Sequence, residues 1–186
     1  MRLNIPKPPY EEGVAEQIEK WKAGSRLETP EIFEAFHIHP SLASRTGALG
    51  AGFLGHNLMS TRDREIVIDR VTGKHGAEHE WSLHATIFGN AVGLSEEQLD
   101  STVTGPAHSA ELWTPDELHL MEVADELAET ADLGDDAWAF LRERYDDQQI
   151  VEFVVLVGWY RTVSSMCNVL RIPGHPECRP FPEPGP

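Results

Sequence analysis

The chain has 186 residues, 40% of them hydrophobic and 25% charged, enough for one domain with a sizeable core. Its 31 Asp and Glu against 15 Lys and Arg give a formal net charge of -16, and no Lys/Arg cluster offers a local exception, so a nucleic-acid partner is excluded as a reading. The start "MRLNIPKPPY" lacks the apolar run of a secretory signal, "FVVLVGWY" is too short an apolar stretch to span a bilayer, and Cys167 and Cys178 are the only cysteines; the expectation is a cytoplasmic protein outside the membrane, without a disulfide framework.

Turn and cap signals divide the chain into helices. The first is predicted over 10–23. "TPEIFEAF" reads as a helix over 30–37, with Thr29 as N-cap and Pro30 at the first helical position. Helices follow over 41–54 and 61–74, the second on "STRDREIVIDRV", and "GAEHEWSLHATIFG" opens a continuous helix predicted over 77–92. Capping boxes from Ser95 to Gln98, from Thr114 to Glu117 and from Asp146 to Gln149 start helices over 95–103, 115–130 and 147–171, with another between the last two over 135–145.

No period-2 run of β-branched residues interrupts this series, which makes the fold class all-α. Residues 1–172 read as a single helical domain with an N-terminal helical extension of about 1–28. Residues 173–186, "PGHPECRPFPEPGP", hold six of the thirteen prolines and read as an extended tail.

The last helix is apolar around most of its circumference as far as Tyr160, which suits a central or subunit-buried position. Arg161, Ser164, Ser165 and Asn168 then form one narrow polar stripe. Such a stripe is either a strip facing solvent or a subunit interface, or else the wall of a pocket.

The histidines of "GAEHEWSLHATIFG" do not make a zinc-protease motif. H-E-x-x-H places its histidines at i and i+4, whereas His79 and His84 are five apart, which rotates one ring about 140° from the other. On a helical wheel Ala77, Trp81, Phe88, Ala91 and Val92 share the core face, and Glu80 and His84 fall on that same face, one turn apart. Two ionisable groups buried side by side are either a satisfied core pair or an acid–base pair with perturbed pKa values in a pocket. Glu65 lies outside the apolar arc of its helix and reads, on pattern alone, as a solvated first-turn carboxylate.

Together, "STRDREIVIDRV", "GAEHEWSLHATIFGNAVGLSEEQL" and "DDQQIVEFVVLVGWYRTVSSMCNVL" resemble the carboxymuconolactone decarboxylase family, which includes the alkylhydroperoxidase D-like proteins. The likeness runs from about "IFEAFHIHP" to Leu170 and implies an alkylhydroperoxidase D-like helical bundle. The peroxidase branch carries C-x-x-C-x-x-x-H on a helix, with a glutamate in the helix before. Laid on this chain, the histidine falls on His84, the second cysteine on Glu80, the first on Ala77 and the glutamate on Glu65; His79 falls where that branch can carry a histidine. Both thiols are missing, which argues against thiol peroxidase chemistry.

The resemblance therefore promotes Glu65 to the site and implies an acid–base lyase, decarboxylase or isomerase acting on a small lactone or keto acid, with no metal or organic cofactor. In this reading His84 transfers the proton, Glu80 is its partner or second acid–base group, and Glu65 orients the imidazole. His79, Trp81, Trp159, Tyr160, Arg161 and Asn168 are the expected pocket residues. Family likeness also implies a homo-oligomer, a trimer or hexamer with dimers also found. Two alternatives stand beside this reading: a non-catalytic oligomeric ligand-binding scaffold, and a metal-dependent variant using Glu80 and His84 with Glu65 or Asp69.

Overall fold

A computed structural model describes residues 1–11, 13–22, 25–105 and 110–183 of the chain. Its helices are α1 (Val14–Lys22), α2 (Glu31–Phe36), α3 (Pro40–Gly55), α4 (Thr61–Lys74), α5 (Glu78–His84), α6 (Glu96–Thr104), α7 (Pro115–Thr130), α8 (Asp135–Arg144) and α9 (Asp147–Leu170). Residues 12 and 23 of the expected first helix, and 184–186 of the tail, lie outside the described residues.

The three capping boxes are present, each with the side chain of Ser95, Thr114 or Asp146 accepting from the backbone three residues on and the Gln or Glu there returning the bond. Thr29 does not cap α2. Pro30 takes the N-cap position and the helix begins one residue later, with no side-chain cap bond.

Helix α4 is the axis of the molecule, packed against α5, α6, α7 and α9. The sequence pattern assigns it one apolar side, Ile66, Val67, Ile68 and Val71, yet every residue from Asp63 to Gly73 is buried. Its charged residues are held by partners instead of water. Arg70 forks onto Asp125 with bonds of 2.9 and 2.6 Å and donates to the Thr102 carbonyl, while Asp63 accepts from Arg144 and from the Tyr145 hydroxyl, both at 2.8 Å. Arg64 donates to the carbonyls of Phe53 and Leu54 at the end of α3, and to Asn57.

Helix α9 is long and apolar enough to cross a membrane by length and composition alone. It is instead a packed helix, burying Ile150, Phe153, Leu156, Val157, Tyr160 and Val163 against α4, α5 and α7, with Val151, Val154, Val155 and Val169 exposed on its outer face.

The expected continuous helix over 77–92 is broken. Helix α5 ends at His84, a π-helical turn spans Ala85–Gly89, and a 3-10 turn spans Asn90–Val92. Gly93 then takes positive φ (74°) and lets the chain turn into α6.

The N-terminal extension packs on α2 and α3. Glu34, buried on α2, accepts from Lys7 and from the Tyr10 hydroxyl at 2.6 Å each, which ties the first ten residues down. The Trp21 indole from α1 lies directly on Gly47 of α3, where any Cβ would overlap it, so this glycine permits the close approach. Trp21 also meets Phe33 and Phe36 at ring-centroid distances of 5.4 and 5.5 Å.

Candidate acid–base site

The site lies where α4, α5 and α9 meet. Glu65 is on the second turn of α4, Glu80 and His84 are one turn apart on α5, and Tyr160 is on α9. His84 Nδ1 donates to Glu65 Oε2 at 2.8 Å, and its Nε2 lies 3.1 Å from the Tyr160 hydroxyl and 3.6 Å from Glu80 Oε1. The other oxygen of Glu65 accepts from Arg64 Nε at 2.7 Å. One buried line therefore runs Arg64, Glu65, His84, Tyr160.

Glu65 is fully buried, so its reading as a solvated first-turn carboxylate does not hold. The helical wheel is correct about where it points relative to Ile68, but α5 and α9 cover that side of α4 as well. Burial would raise its pKa, yet the charges and hydrogen bonds of His84 and Arg64 outweigh it and hold the carboxyl below its ordinary range. Burial would likewise lower the pKa of His84, and the Glu65 carboxylate, helped by Glu80, overturns this and lifts the imidazole to about 10. At neutral pH His84 is thus a cation, with Nδ1–H committed to Glu65 and Nε2–H directed at the Tyr160 oxygen. Burial, together with the nearby Glu80 and Glu65, pushes the Tyr160 phenol well above its usual value, which keeps it a hydroxyl donor.

Asp69 lies one turn beyond Glu65 on α4. It is fully buried, and both its carboxyl oxygens lack a hydrogen-bond partner among the described residues. Burial first, and the Glu65 charge second, raise its pKa well above the usual carboxylate value, so it is a neutral acid beside the ion pair.

Glu80, His84 and Tyr160 end in a cavity of about 940 Å³, and Trp159 lines it too. Its remaining walls come from α1, α2, α3 and the π turn, including Trp21, Phe33, Phe36, Leu54 and Phe88. The π turn places Ile87 and Phe88 at the cavity and supports His84, whose ring lies 5.2 Å from that of Phe88.

The other expected pocket residues do not reach the cavity. His79, rotated away from His84 by the five-residue spacing, is buried under the tail, and its Nδ1 donates to the Pro173 carbonyl at 2.6 Å. Trp81 is in the main core, with its Nε1 donating to Thr102 Oγ1 and its ring meeting Phe181 of the tail edge-on. Arg161 points to the Ala128 carbonyl at the end of α7, and Asn168 donates to the His75 carbonyl at the end of α4. The polar stripe on α9 is thus used within the fold: Ser164 and Ser165 donate back to the carbonyls one turn before them.

Tyr160 shows the reverse. Expected as a pocket residue, it also contributes the hydroxyl that ends the hydrogen-bond line. The roof from α1 and α2 carries no pattern that would have assigned it to the site, apart from its density of aromatic residues.

Ala77 and Glu80 carry no thiol. Cys167 is buried, with its thiol pKa pushed up by that burial, and Cys178 lies in the tail near His175. Among the described residues no three His, Cys, Asp or Glu side chains converge to hold a metal ion. Both ring nitrogens of His84 are engaged here, Nδ1 with Glu65 and Nε2 with Tyr160.

Known structures share this arrangement of helices. An uncharacterized peroxidase-related protein from Ralstonia eutropha JMP134, an alkylhydroperoxidase AhpD core, matches with a TM-score of 0.77 and 13% identity over 95% of this chain and 93% of that one. An uncharacterized peroxidase-related protein from Silicibacter sp. TM1040 matches with a TM-score of 0.80 and 13% identity, over 95% of this chain and 92% of the other. A protein of unknown function from Agrobacterium tumefaciens matches with a TM-score of 0.63 and 21% identity, over 75% of this chain and 94% of that one. No protein-family profile and no curated protein matches the chain. What is shared at such identities is the backbone architecture. The protein therefore has the AhpD-like all-α fold, without the C-x-x-C pair.

Proposed function

We propose that the protein is an acid–base enzyme that moves a proton at a carbon next to a carbonyl, as a lyase, decarboxylase or isomerase does, and that it is not a thiol peroxidase. The observation that carries this reading is the buried line Arg64, Glu65, His84, Tyr160, which ends beside Glu80 at a cavity of about 940 Å³. A core pair whose only task is to tie helices together has no need of an adjoining cavity.

The roles follow from the charge on each group. His84, raised to about 10, is a donor at neutral pH and polarises the Tyr160 hydroxyl, whose proton is then free to bond a substrate oxygen. Glu80, which lines the cavity one turn before His84, is the carboxylate assigned to take the carbon-bound proton. The C–H electron pair forms a C=C bond as the carbonyl π pair moves to oxygen, giving an enolate held by Tyr160; where the substrate is a β,γ-unsaturated carbonyl this is a dienolate, and return of the proton to its γ-carbon shifts the double bond and completes an isomerisation. In a decarboxylation the electron pair comes from the C–C bond to the departing CO2 and the carbon takes a proton afterwards. Glu65 is a positioning residue that holds the imidazole and its charge.

A homo-oligomer belongs to the same reading. The exposed valines 151, 154, 155 and 169 on α9 offer it an apolar face, and gel filtration above the single-chain mass of 20.8 kDa is the expected result.

The test is an NMR time course in D2O with enolisable ketones, lactones and β-keto acids, comparing the protein with Glu80→Gln. Deuterium uptake or loss of CO2 that falls by about 10²–10⁴ in the variant is the expected outcome. Absence of turnover across the panel would instead favour the ligand-binding scaffold, in which Glu65 and His84 serve only the fold.

A further inference from the structure

We infer that the cavity takes an uncharged carbonyl compound with an extended aromatic body, and not a small carboxylated lactone or keto acid, which among the proposed reactions keeps isomerisation and removes decarboxylation, since that needs a substrate carboxylate. The placing of the carbonyl rests on the acid–base reading above; the size and charge arguments do not.

Volume is the first argument. At about 940 Å³ the cavity is near the upper end of the range of about 300–1,000 Å³ that drug-sized ligands occupy. It equals the liquid volume of roughly 30 water molecules. A small ring-cleavage acid would leave most of its apolar wall facing water, so the wall would contribute little to binding.

The second argument is the wall itself. Trp21 comes from α1, Phe33 and Phe36 from α2, Phe88 from the π turn and Trp159 from α9, so separate segments each bring an aromatic ring to one space. Phe36 and Trp159 are stacked with centroids 5.8 Å apart, and Trp21 stands edge-on to Phe33. Helix α3 faces them with small residues, Gly50 and Ala51, which widen the space, while Gly47 is already covered by the Trp21 indole.

Charge is the third. The polar end of the cavity presents the Glu80 carboxylate and a His84 cation already paired with Glu65. No arginine lines the cavity among the described residues, since Arg64 is turned to Glu65 and to carbonyls of α3. Lys20 and Lys22 of α1 also line the cavity, each beside a carboxylate of its own helix, Glu16 at 2.8 Å and Glu19 at 3.6 Å. A ligand carboxylate at the polar end would face Glu80 without a free cation to offset it. A ketone oxygen needs only the one donor that Tyr160 supplies.

The probe that tests this is 6-propionyl-2-(dimethylamino)naphthalene, a neutral naphthyl ketone whose emission moves to the blue in apolar surroundings. Saturable, blue-shifted binding is expected, with 2-acetylnaphthalene displacing the probe at least about tenfold more effectively than naphthalene-2-carboxylate. In Glu80→Gln the ketone should still bind and the preference over the carboxylate should shrink, because the repelling charge is gone. Gly50→Leu should abolish binding: a Cβ there sits 3.7 Å from the Trp159 ring, so a longer side chain enters the cavity, while Leu suits a helix better than Gly does. Circular dichroism checks that the variant is folded.

Absence of saturable binding, equal or tighter binding of the carboxylate, or full binding in folded Gly50→Leu would each overturn the inference. Ketone binding without any deuterium exchange would overturn the catalytic reading and leave the ligand class standing.

Discussion

Glu65 on α4 and His84 on α5 form a buried ion pair, Oε2 to Nδ1 at 2.8 Å, in which each residue holds the other in its charged form. Glu65→Gln removes the carboxylate that offsets both the imidazolium and Arg64. The expected cost is about 3–5 kcal/mol, because two cations are then buried beside each other. Urea unfolding at pH 7 measures it, and NMR titration of the His84 ring should show its pKa falling from about 10.

The same pair sets a pH dependence. His84 has a folded pKa raised from 6.5 to about 10, so its stabilisation is complete below the lower value and is lost as the pH rises through the upper one. Glu65 has a lowered folded pKa, so its contribution is present above its unfolded value near 4.5 and is lost as the pH falls through the folded one. Stability from the pair is therefore greatest between about pH 4.5 and 6.5. Thermal melts should show the alkaline decline in the parent chain and a much weaker one in Glu65→Gln. Turnover, which uses the protonated imidazole, should fall as the pH rises through about 10.

Asp69 works in the opposite direction. Below its unfolded pKa near 3.8 both states hold the proton and nothing is gained or lost. Above it the unfolded chain releases the proton while the folded chain keeps it, so the folded state loses stability as the pH rises toward the raised folded value. Asp69→Asn removes that loss while keeping the shape of the neutral acid. Relative to the parent, the variant should be more stable at pH 7 than at pH 4, with a correspondingly higher Tm. Calorimetry at the two pH values measures it, and an unchanged difference would mean that Asp69 is ionised in the folded protein.

His79 holds the tail and not the substrate. His79→Ala loses the bond to the Pro173 carbonyl and opens space beneath residues 173–175, so limited proteolysis should cut the tail faster. Deuterium exchange on the best substrate should stay within about twofold of the parent, because the ring is turned away from the cavity. A larger loss of turnover would return His79 to the site.

The positions of the helices follow from local signals that a single chain carries. Ser95 with Gln98, Thr114 with Glu117 and Asp146 with Gln149 start three helices where their capping boxes stand, since a cap depends only on residues within one turn. The pairing of Glu80 with His84 is also legible, because their one-turn spacing puts them on one face whatever packs there. That His79 points away follows from the same geometry.

Tertiary packing decided the rest. Glu65 reads as a solvated carboxylate outside the apolar arc of α4, yet it and Asp69 are buried because neighbouring helices enclose α4 on every side, which no periodicity within α4 records. Trp81, Arg161 and Asn168 lie near the site residues in sequence, but their helices turn them toward Thr102, Ala128 and His75. The cavity itself depends on α1, α2 and α3 folding back over α5 and α9, with Gly47 admitting the Trp21 ring. Helical spacing is a property of neighbours in the chain, so the sequence alone determined the helices and the Glu80–His84 pair. Burial and enclosure are properties of neighbours in space, and only the tertiary structure could show Glu65 and Asp69 enclosed, join the Tyr160 hydroxyl to His84 and put an aromatic roof above the pair.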